Sequence, residues 1–349
     1  MILHVAGPNQ FTLPFVKLVK EEFQDEAHQF WFTGPNEKYP VELGDGDFLS
    51  GRGLLRKFKG YLRLVKQLHD ARMVMIHGLF DPRLVILLSL FPYLSSKLYW
   101  VIWGNDLYQY RENRKIGKHK FKEIFRKFVI KRIGHLVTYI DGDVELARQW
   151  YGAKGTHHEC IMYLSNVVDP KMITEPGPAS DHDGLNILLG NSADPSNNHI
   201  EALERLLPFK DQPFKIYAPL SYGDQNHAQK VISQGKAWFG DKFVPMTEFM
   251  PFEQYLEFLK SLDIAIFNHQ RQQAMGNTIT LLGMGKTVFM RSDVSHWRFL
   301  TGLGIKLNDV EKLELCRIAR DEADENARVV YSYFSRATLM KQLANIFEG

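Results

Sequence analysis

The feature that most narrows the fold of this chain is a repeated alternation of short apolar runs with stretches whose apolar residues recur at helical spacing. Apolar runs sit at 2–6, 30–33, 73–77, 97–103, 135–140 and 158–163, separated by helical patterns near 11–26, 52–69, 82–94, 116–133 and 142–151. The pattern restarts at 185–190 and continues through 214–218, 243–247, 263–267 and 286–290. Alternation of this kind builds βαβ units and mostly parallel sheets flanked by helices. A chain of 349 residues is too long for one ordinary α/β domain and comfortable for two.

The division falls at residues 169–184, which carry three prolines, two glycines and no apolar periodicity. The expected organisation is a Rossmann-like domain over 1–168, a linker over 169–184 and a second Rossmann-like domain over 185–328. A C-terminal helix, 329–349, is expected to cross back to the first domain. Two facing halves of this kind place a ligand in the cleft between them, and in open α/β sheets the chemistry gathers at the C-terminal ends of strands.

Bulk composition excludes several classes. At 45% hydrophobic and 24% charged residues the chain is neither fibrous nor wholly disordered. Its two cysteines, Cys160 and Cys316, make no disulfide framework and have no metal-type spacing, which fits a reducing, cytoplasmic setting. Residues 1–7 lack the basic and long apolar regions of a secretion signal and read as a first strand. The most apolar stretch, 84–94, is only 11 residues and contains Pro92, against the roughly 20 that a membrane span needs.

Two loops of the second half suit a diphosphate. Gly190, Asn191 and Ser192 leave the strand at 185–190 and lead to Ser196 and Asn197, with Ser196 expected to cap a helix whose amides face an anion. The spacing is neither GxGxxG nor GxxxxGKS, which disfavours a nicotinamide or Walker-type site. The second loop follows 263–267 and holds Arg271, Gln272, Gln273, Gly276, Asn277 and Thr278. Arg271 offers a bidentate contact to phosphate, Gly276 a close backbone approach, and the helix start further donors. A third loop with Tyr217, Pro219 and Tyr222 suits a base or ribose, or is a structural turn.

The first half supplies candidates for general-base work, which needs a carboxylate or imidazole within reach of the attacking hydroxyl. Asn105 and Asp106 follow the strand at 97–103 in a compact turn after Trp103, and are expected at the cleft mouth. His77 ends the strand at 73–77, ahead of Asp81 and Pro82 as N-cap and first helical residue. His4 lies within the first strand and is weaker, since a lone strand histidine is more often structural.

In this order and setting the motifs resemble the family 56 glycosyltransferases. The resemblance rests on His77, Gly78, Asp81 and Pro82, on residues 102–108, on Gly190, Asn191, Ser192, Ser196, Asn197, His199 and Ile200, and on Arg271, Gln272, Gln273 and Gly276. It implies a GT-B fold and transfer of an N-acetylfucosamine-like deoxy-amino sugar in bacterial surface polysaccharide assembly. The donor would be a TDP-sugar held by the C-terminal domain, and the acceptor a polyprenyl-diphosphate-linked saccharide on the N-terminal one. Neither cofactor nor metal is implied, in line with the lack of a DxD-type acidic pair at a strand end. The rival from another class is a two-lobed nucleotide- or sugar-binding protein without chemistry, and the alternative within the class is a GT-B transferase with another nucleotide-sugar donor.

Charge adds a partner. Net charge is +3, but residues 1–170 hold 24 Lys and Arg against 18 Asp and Glu, and the rest 19 against 22. Much of the excess lies at 52–69, where Arg52, Arg56, Lys57, Lys59, Arg63 and Lys66 occur without an acid beside one apolar stripe. A second basic run, 111–132, follows. The stripe is either the solvated face of a core-packed helix or a docking surface for anionic lipid at the cytoplasmic face of the inner membrane. No nucleic-acid recognition motif accompanies it.

Overall fold

The computed structural model describes residues 1–51, 53–113, 117–168 and 184–349, and the chain divides into two compact units, Met1–Val167 with Leu339–Gly349, and Val168–Thr338. The first unit runs β1 (Ile2–Ala6), α1 (Thr12–Glu22), β2 (His28–Phe32), β3 (Phe48–Leu49), α2 (Leu54–Asp70), β4 (Met73–His77) and α3 (Pro82–Leu90). It continues with β5 (Leu98–Val101), α4 (Asn105–Asn113), α5 (Gly117–Arg132), β6 (His135–Val137), α6 (Asp141–Tyr151) and β7 (Thr156–His158). All seven strands pair in parallel in the order β3-β2-β1-β4-β5-β6-β7. The order reverses between β1 and β4, which opens a crevice at their C-terminal ends.

The second unit repeats the plan. It contains β8 (Leu185–Leu189), α7 (His199–Leu206), β9 (Phe214–Pro219), α8 (Gln225–Phe239), β10 (Phe243–Met246), α9 (Phe252–Lys260) and β11 (Ile264–Phe267). Then come α10 (Met275–Gly283), β12 (Thr287–Met290), α11 (Ser295–Gly302), β13 (Asn308–Asp309), α12 (Arg320–Tyr333) and α13 (Arg336–Glu348), the last shared between the units. Its sheet is also parallel, in the order β10-β9-β8-β11-β12-β13, with the reversal between β8 and β11.

The central strands are apolar on both faces because helices cover both. In the first unit Leu3, Val5, Val74, Ile76 and Trp100 pack with Leu64, Leu84, Ile130 and Ala147 from the helices; in the second Ile187, Leu189, Ile216 and Ile266 pack with Leu203, Leu206 and Val231.

Several expectations shift. The run at 158–163 is a strand only over Thr156–His158, and the buried segment that follows turns at Met162, which has φ 62°. Asn105 and Asp106 open a helix rather than form a free turn. The C-terminal stretch is two helices, because the Ser335 hydroxyl accepts from the Thr338 N–H at 3.1 Å and starts α13 afresh. The two-residue strands β3 and β13 are too short to leave a period-2 signal. Arg52, the side chain of Arg56 and linker residues 169–183 lie outside the described residues.

Candidate functional site

In the second unit the loops at the ends of β8, β9 and β11 form one continuous rim at the switch point. Gln273 binds them together: its Nε2 donates to Asn191 Oδ1 at 2.9 Å, and its Oε1 accepts from the Ser196 hydroxyl at 2.7 Å. Asn191 Nδ2 in turn donates to the Tyr222 hydroxyl at 3.3 Å. Backbone bonds from Ala193 N to Tyr222 O at 2.8 Å and from Asp224 N to Ala193 O at 3.2 Å zip the first loop to the third. Arg271 approaches the Asp194 carboxylate at 3.5 Å and donates to Gln272 O at 3.3 Å.

Gly190 is required where it stands. It has φ +69°, and a Cβ there would lie 2.6 Å from Asn197 Oδ1 and 2.7 Å from His199 Nε2. Asn197 is the buried post beneath this loop, its Oδ1 accepting from Asn191 N at 2.9 Å and from His269 Nε2 at 2.8 Å. It shapes the rim from below rather than touching a ligand. Burial also holds His199 neutral, at a pKa of about 3, and His269 well below its ordinary range.

Two local expectations are corrected. Ser196 caps no helix: Asp194 caps a short 3-10 turn by accepting from Ser196 N at 2.8 Å, and α7 begins at His199 behind a left-handed Asn198. Desolvation opposes ionisation of Asp194, but the hydrogen bonds from Ser196 and the Arg271 charge hold its carboxyl below the usual range. At the second loop α10 starts at Met275, so Gly276, Asn277 and Thr278 fill its first turn. Thr278 is fully buried and its hydroxyl donates to Ala274 O at 3.0 Å, which removes it from the ligand side. Asn277 Nδ2 donates to the Tyr255 hydroxyl at 2.8 Å. The amides of Met275, Gly276 and Asn277 have no carbonyl of their own helix to bind, while Thr278 N closes on Ala274 O at 2.9 Å, so these three amides and Arg271 are the positive groups of the rim. Tyr217 is half-buried against Phe258, Pro219 is buried, and Tyr222 is exposed on the rim.

In the first unit the structure brings together the ends of β4 and β5. Asp106 is fully buried, and its carboxylate accepts four N–H groups. Oδ2 takes Trp100 Nε1 at 2.6 Å and Leu79 N at 3.0 Å; Oδ1 takes Trp103 N at 3.0 Å and Leu107 N at 2.9 Å. Buried Arg126 grips the same place from α5, donating to Leu79 O and, at 2.6 Å, to Asp106 O. Asp106 is therefore the clamp that joins the two strand-end motifs, not a base at the cleft mouth; four donors leave no face of the carboxylate for an acceptor hydroxyl. Asp81 caps α3 as expected, accepting from Arg83 N at 2.9 Å, and also holds the Tyr61 hydroxyl at 3.2 Å.

His4 and His77 are likewise buried and bonded to each other, Nδ1 to Nε2, at 3.1 Å. Burial drives His77 to a pKa of about 3 and His4 well below its ordinary value. Of the four catalytic candidates, only Asn105 is exposed. Sequence reasoning missed Arg126, Tyr163 and His28. Tyr163 ended a run read as strand, and Arg126 sat within a basic run left open between a solvated helix face and a lipid-docking surface.

Among the described residues no group of three or more His, Cys, Asp or Glu side chains is placed to hold a metal ion. The family model of the 4-alpha-L-fucosyltransferases, glycosyl transferase group 56, matches residues 52–324. Among solved structures the chain is similar to a sucrose-phosphate synthase from Thermosynechococcus elongatus, at 10% identity and a TM-score of 0.73 over 100% of this chain and 98% of that one. It is also similar to Anabaena Alr3699/HepE in complex with UDP-glucose, at 10% identity and a TM-score of 0.69 over 100% and 99% of the two chains. A glycosyltransferase from Rickettsia africae matches at 12% identity and a TM-score of 0.65 over 99% and 97%. At these identities the likeness is one of fold, that of the GT-B glycosyltransferases.

Proposed function

The chain belongs to the group 56 glycosyltransferases, and on that premise we propose that it moves an N-acetylfucosamine-like deoxy-amino sugar from a TDP-sugar to a polyprenyl-diphosphate-linked saccharide. The observation that carries the donor half is the rim at the β8–β11 switch point, where Arg271 and the first turn of α10 converge. Breaking the bond between sugar and diphosphate leaves negative charge on the leaving group, and fixed donors aimed at that charge lower the barrier without reorganising. Arg271 supplies a fork for two phosphate oxygens, and the amides of Met275, Gly276 and Asn277 supply the helix dipole. Tyr222 offers an exposed ring for base or ribose. That the similar HepE structure holds UDP-glucose supports a nucleotide-sugar at a fold of this kind.

Calorimetry against UDP-, TDP- and GDP-sugars is the direct test. Binding is expected to be tightest for a TDP-deoxyamino sugar; a panel without heat removes the donor reading. Release of free nucleotide only when a lipid-linked saccharide is added separates transfer from simple binding. On the acceptor side Asn105 is the exposed member of the four catalytic candidates, and Asp106 acts by holding the helix start that presents it.

The lipid part of the reading rests on the first unit. No helix among the described residues is long and apolar enough to cross a membrane. Yet α2 exposes Phe58 at 64% and Leu62 at 56%, beside Lys59 and Lys66, while Leu64 and Leu68 face the core. The apolar stripe of this helix is thus divided between core and surface. Neighbouring α3 exposes Leu90 and α5 exposes Phe121 and Ile124. Arg63 is committed otherwise, donating to Gly46 O at 3.1 Å and lying over the Phe48 ring. Apolar side chains set among lysines suit shallow insertion into an anionic bilayer. The double variant Phe58→Ser with Leu62→Ser is expected to weaken co-sedimentation with phosphatidylglycerol vesicles by about tenfold or more, each side chain contributing ~1.5–3 kcal/mol on burial. Wild-type binding that ignores both lipid charge and salt counts against this surface.

A further inference from the structure

Five side chains of the first unit are strung together by hydrogen bonds. Trp103 Nε1 meets the Tyr163 hydroxyl at 2.9 Å, Tyr163 meets His77 Nδ1 at 2.7 Å, His77 Nε2 meets His4 Nδ1 at 3.1 Å, and His4 Nε2 meets His28 Nδ1 at 2.9 Å. An indole N–H donates and never accepts, so the Tyr163 oxygen is an acceptor at the head of the chain and its hydrogen is left to find a partner behind it. The Tyr163 oxygen accepts from Trp103 and its hydrogen goes to His77 Nδ1. Either polarity strands one hydrogen: the opposite one, with His77 Nδ1–H donating, strands the hydroxyl hydrogen of buried Tyr163, whereas the assigned one moves the stranded hydrogen to the far end, at His28, a half-buried residue packed against the Phe347 ring.

His77 consequently carries its proton on Nε2 and donates to His4, and His4 carries its own on Nε2 and donates to His28. The chain ends at His28 Nε2, which meets no hydrogen-bond partner among the described residues; the His28 ring meets that of Phe347 edge-to-face at 4.7 Å. Every other ring nitrogen in the series is engaged, so no acceptor is open for a second proton at His4 or His77. Their burial keeps both rings neutral.

The head of this chain stands beside the β1–β4 switch point. The Trp103 indole meets Phe11, from the loop after β1, edge-on at 5.6 Å, and Phe80, from the loop after β4, at 5.9 Å; the Tyr163 ring lies at 5.0 Å. Trp103 and Phe11 are half-buried and Phe80 is 39% exposed, so the cluster presents ring surface outward. The Trp103 backbone is pinned by Asp106 and its side chain by Tyr163, which leaves the indole one orientation. A rigid aromatic floor with few polar atoms matches the apolar C–H face of a pyranose ring.

We propose that Trp103, with Phe11 and Phe80, is a stacking platform for a pyranose ring of the saccharide acceptor, and that Tyr163 and His77 are positioning residues that hold the indole through a hydrogen-bond chain of single polarity. The ligand rests on the acceptor reading given above; the chain does not. Long-range proton–nitrogen NMR of the full-length protein, labelled at imidazole nitrogen, is expected to show His4 and His77 as neutral Nε2–H tautomers at pH 7. An Nδ1–H tautomer or an imidazolium at either residue overturns the chain. In Tyr163→Phe the near-ultraviolet dichroism due to Trp103, isolated by subtracting Trp103→Phe, is expected to fall. The KM for the lipid-linked saccharide is expected to rise about tenfold, equal to ~1.4 kcal/mol, with the donor KM held.

An unaltered Trp103 signal or acceptor KM overturns the positioning role. Should Tyr163→Phe fail to fold, Trp103→Phe decides, since it deletes only the donor at the head. Both tautomers of His77 are then expected, and a retained single Nε2–H form overturns Trp103 as the group that selects the polarity. Wild-type protein that transfers to no saccharide acceptor removes the platform's ligand together with the proposed function, whereas tautomers and dichroism still decide the chain.

Discussion

Arg271→Ala is expected to lower kcat/KM for the sugar donor by about 10²–10³-fold, the usual effect of removing a fixed donor from developing charge. The side chain is mostly buried, its guanidinium lying 3.5 Å from Asp194 at the switch point of the second sheet. A purely structural ion pair predicts something different. Asp194 is 42% exposed, so losing the pair alone costs at most ~1 kcal/mol after solvent screening. The diagnostic is therefore a large kinetic loss with a small thermal shift. Arg271→Lys keeps a point charge but not the planar fork, and is expected to recover part of kcat without restoring the donor KM. Arg271→Ala protein that binds nucleotide diphosphate as tightly as wild type would falsify the phosphate assignment.

Asp106→Asn is expected to unfold the protein far more readily, rather than to silence an otherwise intact enzyme. Each carboxylate oxygen accepts two N–H groups, so an amide nitrogen in either orientation faces two donors. Two opposed or unpaired buried donors cost about 3–5 kcal/mol together. For a unit of this size that is a melting temperature lowered by roughly 10 °C. Were Asp106 a general base with the clamp unimportant, the variant would melt like wild type and lose only kcat. Thermal denaturation followed by circular dichroism separates the two outcomes.

The difference between these two residues shows what was legible. The placing of Arg271 was read from its neighbours in the chain: a cation, two amides and a glycine at a helix start suit an anion whatever surrounds them, and the structure gathers these residues onto one rim, while their phosphate role is what the Arg271→Ala variant tests. Asp106 was read the same way, from a tryptophan, a glycine and an amide, and its role came out differently. Its four partners include Leu79 and Trp100, a loop residue 27 positions away and an indole on the adjoining strand. A carboxylate that closes a buried clamp and one that awaits a substrate look alike in sequence. Ser196 was misplaced for a smaller reason: Asp194, two residues earlier, won the same capping position and tightened the chain into a 3-10 turn.

The strands at 2–6 and 73–77, the restart at 185 and the two-sheet α/β plan were determined by the sequence alone, because periodicity and chain length are local or additive properties. The strand order, with a reversal at β1–β4 and another at β8–β11, was a tertiary outcome, as it depends on which βαβ unit docks on which edge. So was the fate of His4 and His77. Seventy-three residues apart, they became one buried, directional hydrogen-bond chain only when their strands paired, Ile2 to Met73, and turned both rings to the same side of the sheet. Composition can state that a chain contains histidines; the low dielectric around these two, and the partners that decide which nitrogen carries the proton, come from the fold.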